Sequence, residues 1–349
     1  MTNQARPREF GQALIGIYSG AVLTYLIGVG HETGLFEAAR DPATSSELAQ
    51  RTGLSERYVR EWLGAMTTGG LFTYASESGV YELPPEHARL LTGPTAANAA
   101  PMSQFLTHFA TLLPSLVECF RHGGGIPYSE FRPQFTDRMD DVWRRIYDEK
   151  LVDGFIAPVA GLPERLHAGI DALDIGCGTG HAANLLARAF PASRFVGYDI
   201  AQDAIAAATA EAEAMGLTNS RFEVLDVTQL PSEPKFDLIM AFDAIHDQVD
   251  PVAVLGNVRR LLAEDGLFLM IDFKFSSNLE DNIGNPFAPL YYGISTMHCM
   301  TISLAEGGAG LGAVWGIQTA RRMLADAGFS VVEVLDSPRP QNCIYVCRP

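Results

Sequence analysis

From Pro163 onward the apolar residues gather into five short runs, IDALDIGCG, SRFVGYDI, SRFEVLDV, FDLIMAFDAI and GLFLMIDF. Between them lie HAANLLARAF, AQDAIAAATAEAEAMG and PVAVLGNVRRLLAEDG, whose apolar positions recur at helical spacing. Strand-length runs alternating with amphipathic helices predict an α/β domain with a doubly wound, Rossmann-like sheet over residues 165–349. RRMLADAGFSVVEVLD and NCIYVCRP add a last helix and two more strands. Ligands of such sheets sit at the carboxyl ends of the strands, so the informative side chains are expected there.

Upstream the pattern differs. In ATSSELAQRTGLSERYVREWLGAMTTGGLFTYASESGVYELP, Ser45 or Ser46 caps a short helix and Gly53 turns it. Ser55 caps a second helix with Tyr58, Trp62, Leu63 and Met66 on its apolar side, and GGLFTY with GVYEL forms a hairpin. This is a mainly helical winged-helix domain, placed at residues 1–94. Residues 95–164 read as a helical linker and substrate lid, broken by Pro114, Gly123 to Gly125, Pro127 and Pro133. GQALIGIYSGAVLTYLIGVG, residues 11–30, is uncharged and long enough to raise a membrane span. Four glycines with Tyr18, Ser19, Thr24 and Tyr25 dilute it, so a buried helix of a homodimer, and no membrane, is expected.

Charge narrows the partners. The chain of 349 residues has a formal net charge of −16, and in the helix that would read DNA in such a domain Arg57 and Arg60 are balanced by Glu56 and Glu61, so nucleic acid is not expected. Here the helix serves packing and dimerisation. The five scattered cysteines, Cys119, Cys177, Cys299, Cys343 and Cys347, form no CxxC pair, which points to a reducing cytoplasm.

LDIGCGTG follows a strand and opens a helix, so Gly176, Gly178 and Gly180 allow a ligand close to the backbone at a helix N-terminus. The spacing is GxGxG, not the GxGxxG of dinucleotide enzymes. Asp174 lies in the first strand's loop, Asp199 ends YDI and Asp226 ends VLD. An acid closing the second strand suits a ribose diol, and one closing the third suits an exocyclic amine. This set resembles the class I S-adenosylmethionine-dependent methyltransferases, and the winged helix resembles the dimerisation module of their O-methyltransferase branch. The resemblance implies S-adenosylmethionine as cofactor, held by these glycines and acids with Ile200, Val227 and Phe242 beside them.

Two histidines remain. IHDQVDP follows the fourth strand, where the O-methyltransferases it resembles read HDW and their histidine deprotonates a hydroxyl; His246 and Asp247 match, and Gln248 replaces the tryptophan. STMHCMT then delivers His298 from a long insertion, of a length usual for functional lids. A lone buried histidine is more often a core group than a ligand, but two histidines and a carboxylate make a facial triad with open positions. The pair also resembles that of the α-keto acid C-methyltransferases, which implies one metal ion, iron or zinc, on His246, His298 and Asp247. A cation polarising a 2-oxo group eases loss of the adjacent proton, to a metal-bound hydroxide, Asp247 or Asp243. Arg121 or Arg132 is expected to hold the substrate carboxylate. The expectation is thus a homodimeric C3-methyltransferase of a small-molecule 2-oxo acid. Its alternatives are a metal-free O-methyltransferase using His246 as base, and a winged-helix regulator that senses S-adenosylmethionine.

Overall fold

The computed structural model describes residues 5–230 and 232–349. The chain divides between Thr111 and Leu112 into two compact units. The first contains helices α1 (Ala5–Glu32), α2 (Leu35–Ala38), α3 (Ser45–Thr52) and α4 (Glu56–Thr68), the wing strands β1 (Thr73–Ala75) and β2 (Val80–Glu82), and helices α5 (Pro85–Leu91) and α6 (Met102–Thr111). Thr44, not Ser45 or Ser46, caps α3, because Glu47 three residues on closes a reciprocal capping box with it. Along α4 the buried side chains are Val59, Trp62, Leu63 and Met66, the i, i+3, i+4, i+7 face of a helix. Tyr58 lies off that face and is 81% exposed. Trp62 packs edge-on against Phe36 and Phe72 and donates its indole N–H to the Leu26 carbonyl at 2.8 Å, which fastens α1 to the winged helix. In the single chain α1 is largely uncovered: Phe10, Ile15, Tyr18 and Val22 are exposed. By length and composition Pro7–Glu32 is the one helix among the described residues able to cross a membrane.

The second unit begins with α7 (Leu113–His122), α8 (Gln134–Lys150) and α9 (Leu162–Ala168). It continues as β3 (Asp171–Ile175), α10 (His181–Ala189), β4 (Arg194–Asp199), α11 (Gln202–Ala214), β5 (Ser220–Val224), β6 (Phe236–Phe242), α12 (Pro251–Leu261) and β7 (Leu262–Phe273). The insertion carries α13 (Leu279–Asn282), α14 (Ala288–Ile294) and α15 (Met300–Ala305); α16 (Ile317–Asp326), β8 (Val331–Asp336) and β9 (Asn342–Arg348) close the chain. The seven strands lie in the order β5-β4-β3-β6-β7-β9-β8. Strands β3 to β7 run parallel, whereas β9 is antiparallel to both β7 and β8. Strands β3, β6 and β7 are buried on both faces, which is why their sequences read as continuous apolar runs. The chain passes from β3 outward to β5 and returns to β6 on β3's other side, opening a crevice between the carboxyl ends of β3 and β6.

Candidate functional site

That crevice is a cleft of about 860 Å³ within the second unit. Its nucleotide-side rim is built from LDIGCGTG. Gly176, Gly178 and Gly180 have φ of 66°, 53° and 69°, a region that glycine enters without strain. At Gly180 a Cβ would stand 2.5 Å from both the Ala208 methyl and the Phe222 ring, so the turn also needs glycine for packing. Asp199 at the end of β4 accepts the N–H groups of Gly178 and Ala201, each at 2.8 Å, which aims its carboxylate along the rim. Asp226 accepts from the Thr228 amide and hydroxyl, and Asp174, Ile200, Val227 and Phe242 line the same cleft.

Asp174 is 2% exposed, and its Oδ1 has no hydrogen-bond partner among the described residues. Burial, followed by the charge of Asp199, pushes its pKa up to about 8. A buried carboxyl left unsatisfied at the rim is a receptor for an ammonium group, and with the glycine turn and Asp199 it fits the amino acid and ribose portions of S-adenosylmethionine.

The opposite wall comes from α8. Phe135, Met139, Trp143 and Tyr147 recur every fourth residue and so share one face, which lines the cleft with Tyr128 and Phe242. Trp143 and Tyr147 stack at 5.0 Å, and Tyr147 meets Phe242 edge-on at 5.3 Å. Charge also holds α8: His181 bonds Glu211 through Nδ1 at 2.9 Å and Asp148 through Nε2 at 3.0 Å, while Arg144 pairs with Asp140 and Glu211. None of these aromatic or ionic partners is signalled by a motif; only the four-residue period of α8 was available in the sequence.

At the end of β6 the loop 243–250 faces the cleft with Asp243, Asp247 and Gln248. Asp243 has φ 49°, the one positive φ outside glycine among the described residues, and accepts from Asn342 Nδ2 at 2.7 Å. Burial, then the Asp272 charge, pushes its pKa up to about 7. Asp247 is raised to about 6, mainly by burial and against the attraction of His246.

His246 is placed otherwise than expected. It is 2% exposed, does not line the cleft, and directs Nδ1 at both oxygens of Asp272, at 3.0 and 3.2 Å. Burial alone would lower its pKa, but Asp272 and contact with Cys299 outweigh it and raise it well above the ordinary histidine range. The Nδ1 bond to Asp272 fixes the orientation of the ring. His298 does line the cleft, with its face on Phe135 at 3.8 Å and its ring edge-on to Phe131 at 4.8 Å. Among the described residues no group of three or more His, Cys, Asp or Glu side chains is placed to hold a metal ion. The expected triad of His246, Asp247 and His298 is thus not brought together as a three-ligand group among the described residues: His246 pairs with Asp272, and His298 stacks among aromatic rings. The arginines are corrected too. Arg121 is exposed and paired with Glu118, and Arg132 pairs with Asp203 and lies 5.4 Å over the Tyr128 ring; neither lines the cleft. Asp272 and Cys299, the actual partners of His246, were missed because they are distant in sequence.

Comparison with known proteins agrees with this geometry. Residues 166–328 match the methyltransferase domain model, and residues 21–93 match an Rv2258c-like winged helix-turn-helix domain. An uncharacterised methyltransferase of Bacillus subtilis is 34% identical over 101 residues, which are 29% of this chain and 39% of that protein. The demethylmenaquinone methyltransferase of Thermus thermophilus is 33% identical over 102 residues, 29% of this chain and 46% of the relative. The chain thus spans less than half the length of either. Among solved structures, an O-methyltransferase family protein from Burkholderia thailandensis has a TM-score of 0.71 at 16% identity, covering 96% of this chain and 97% of that one. Human N-acetylserotonin methyltransferase, solved with S-adenosylmethionine, has a TM-score of 0.70 at 16% identity, with 97% of each chain covered. At such identities the likeness is one of fold. The second unit is an S-adenosylmethionine-dependent methyltransferase domain of class I. More particularly, it is one joined to a winged helix-turn-helix domain of the Rv2258c-like kind.

Proposed function

We propose that the chain transfers a methyl group from S-adenosylmethionine to an oxygen of a small hydroxylated aromatic molecule. The carrying observation is the cleft itself: a wall of Phe135, Trp143, Tyr147 and Phe242 facing a partly buried Asp247 after the end of β6. Aromatic faces orient a planar ring by offset stacking and edge contacts. The cofactor supplies an electrophilic methyl on its sulfonium. Asp247 takes the hydroxyl proton, for which a pKa of about 6 is well matched to neutral pH. His246 acts through position, with its ion pair to Asp272 anchoring the loop that carries Asp247. Solved relatives named as O-methyltransferases share the whole two-part fold, which supports this reading over the 2-oxo acid one.

The test is methyl transfer from labelled S-adenosylmethionine to a panel of catechols, phenols and 2-oxo acids, with and without a chelator. Catechol or phenol methylation indifferent to the chelator is expected. Replacing Asp247 by Asn is expected to lower kcat by about 10²–10⁴-fold while cofactor affinity holds. Chelator-sensitive methylation of a 2-oxo acid carbon overturns the proposal. For the exposed apolar side of α1, the occupant proposed is a second copy of the chain, and a monomeric mass in light scattering counts against it.

A further inference from the structure

The charges around the cleft are one-sided. Its described lining holds seven aspartates and one glutamate, and no lysine or arginine. The nearby guanidinium groups stand outside this lining. Arg132 pairs with Asp203, Arg144 with Asp140 and Glu211, and Arg339 lies 4.4 Å over the Trp143 ring, from where its charge reaches Asp243 without lining the cleft. Asp174, Asp199 and Asp226 fall on the cofactor rim, but Asp243 and Asp247 belong to the end of β6 beside the aromatic wall. Asp243 keeps its carboxyl there at the cost of a left-handed backbone, and Asp174 presents its buried, unpartnered oxygen to the same space.

An anionic acceptor entering this cleft would lose its hydration, face carboxylates and find no guanidinium among the described lining residues to pair with. A protonated amine would meet the opposite: carboxylates to pair with and the π-faces of Trp143 and Tyr147 to rest on. We infer that the methyl acceptor is a cationic aromatic, a hydroxylated ring bearing a protonated amine, with Asp243 as the residue that selects for the charge. This rests on the O-methyl reading for the reaction, but the charge preference is a property of binding and is measurable apart from turnover.

Three catechols of similar size separate the charges: dopamine is cationic, methylcatechol neutral and protocatechuate anionic. Their binding is read as the rise in melting temperature in the presence of S-adenosylhomocysteine, and their turnover as methyl transfer from labelled S-adenosylmethionine. Dopamine is expected to raise the melting temperature most and protocatechuate least, with kcat/KM in the same order. Loss of one charge-assisted hydrogen bond corresponds to roughly ten- to a hundredfold in affinity, so Asp243→Asn is expected to raise KM for dopamine by that factor and to leave methylcatechol nearly unchanged. Asn retains the preference for a left-handed φ, which keeps the loop intact. A rise for dopamine no larger than for the other two overturns the inference, as does an equal effect of Asp243→Asn on dopamine and methylcatechol. Selective stabilisation by dopamine without any methylation upholds the charge preference and sinks the O-methyl reading alone.

Discussion

Asp243→Asn also tests the electrostatics of the empty cleft through stability. In the fold the carboxyl is held near 7, against an ordinary 3.8, first by burial and then by Asp272. A raised folded pKa means that the native state prefers the neutral acid. The stability this brings is intact below about pH 4, drains away as pH rises towards 7, and is gone above it. A displacement of about 3 corresponds to about 4 kcal/mol, and contact of the partly buried side chain with water in the cleft softens this to about 2 kcal/mol. For a unit of this size 1 kcal/mol moves Tm by about 2–4 °C. The amide is neutral at every pH and accepts from Asn342 as the acid does. Calorimetry of the ligand-free protein is therefore expected to find the variant within about 2 °C of wild type at pH 4.5 and about 4–8 °C more stable at pH 8. A gap that does not widen with pH, or a variant less stable at pH 8, would refute the reasoning, because Asp243 would then be an ionised partner of Arg339 in the native state.

Two further outcomes follow from the rim and from the wall. Asp174 is neutral below about pH 8 in the empty site and must ionise to receive an ammonium, so calorimetric titration should show S-adenosylmethionine binding more tightly as pH rises towards 8, with proton release; Asp174→Asn should flatten that dependence, and an unchanged slope would count against the assignment. His181→Ala removes the link between Glu211 and Asp148, so it is expected to cost about 2 kcal/mol and to raise acceptor KM through a loosened α8; Tm and KM unaltered together would show that α8 does not depend on the network.

What was legible in the sequence was what is local. LDIGCGTG and the acids at or just after the ends of β3, β4 and β5 announce their place because a turn and a strand end are decided within a few residues, and the succession of strands and helices follows from alternating periods. The aromatic wall was half legible: a four-residue period in 134–150 is visible, but nothing local says that it faces a cleft rather than a core. The partners of single polar groups were not legible at all. Residue type makes His246 a base, a ligand or half of an ion pair equally well, and only the pairing of β6 with β7, which sets Asp272 beside it, decides. Arg132 fails the same way, since Asp203 lies at the start of α11, far along the chain.

The long insertion makes the point from the other direction. Its length and its histidine invite a reading as a ligand-bearing lid, yet its bonds run to the backbone of the loop after β6. Gly312 donates to the His246 carbonyl at 3.1 Å, Ser303 Oγ to the Gln248 carbonyl at 2.9 Å, and Ala309 to the Val249 carbonyl at 3.0 Å. Its far end sets Trp315 Nε1 3.2 Å from Asp272, the partner of His246. Close approach is required on its outer side as well, where a Cβ at Gly125 would stand 1.8 Å from the Thr301 carbonyl. These bonds give partners to three carbonyls of a loop that follows a buried strand; where such a carbonyl is buried, leaving it unsatisfied costs about 1–3 kcal/mol. The insertion thus holds Asp243 and Asp247 in place by satisfying the backbone between and after them, and a short connection after β7 would leave the same acids on a loop with nothing to fix it.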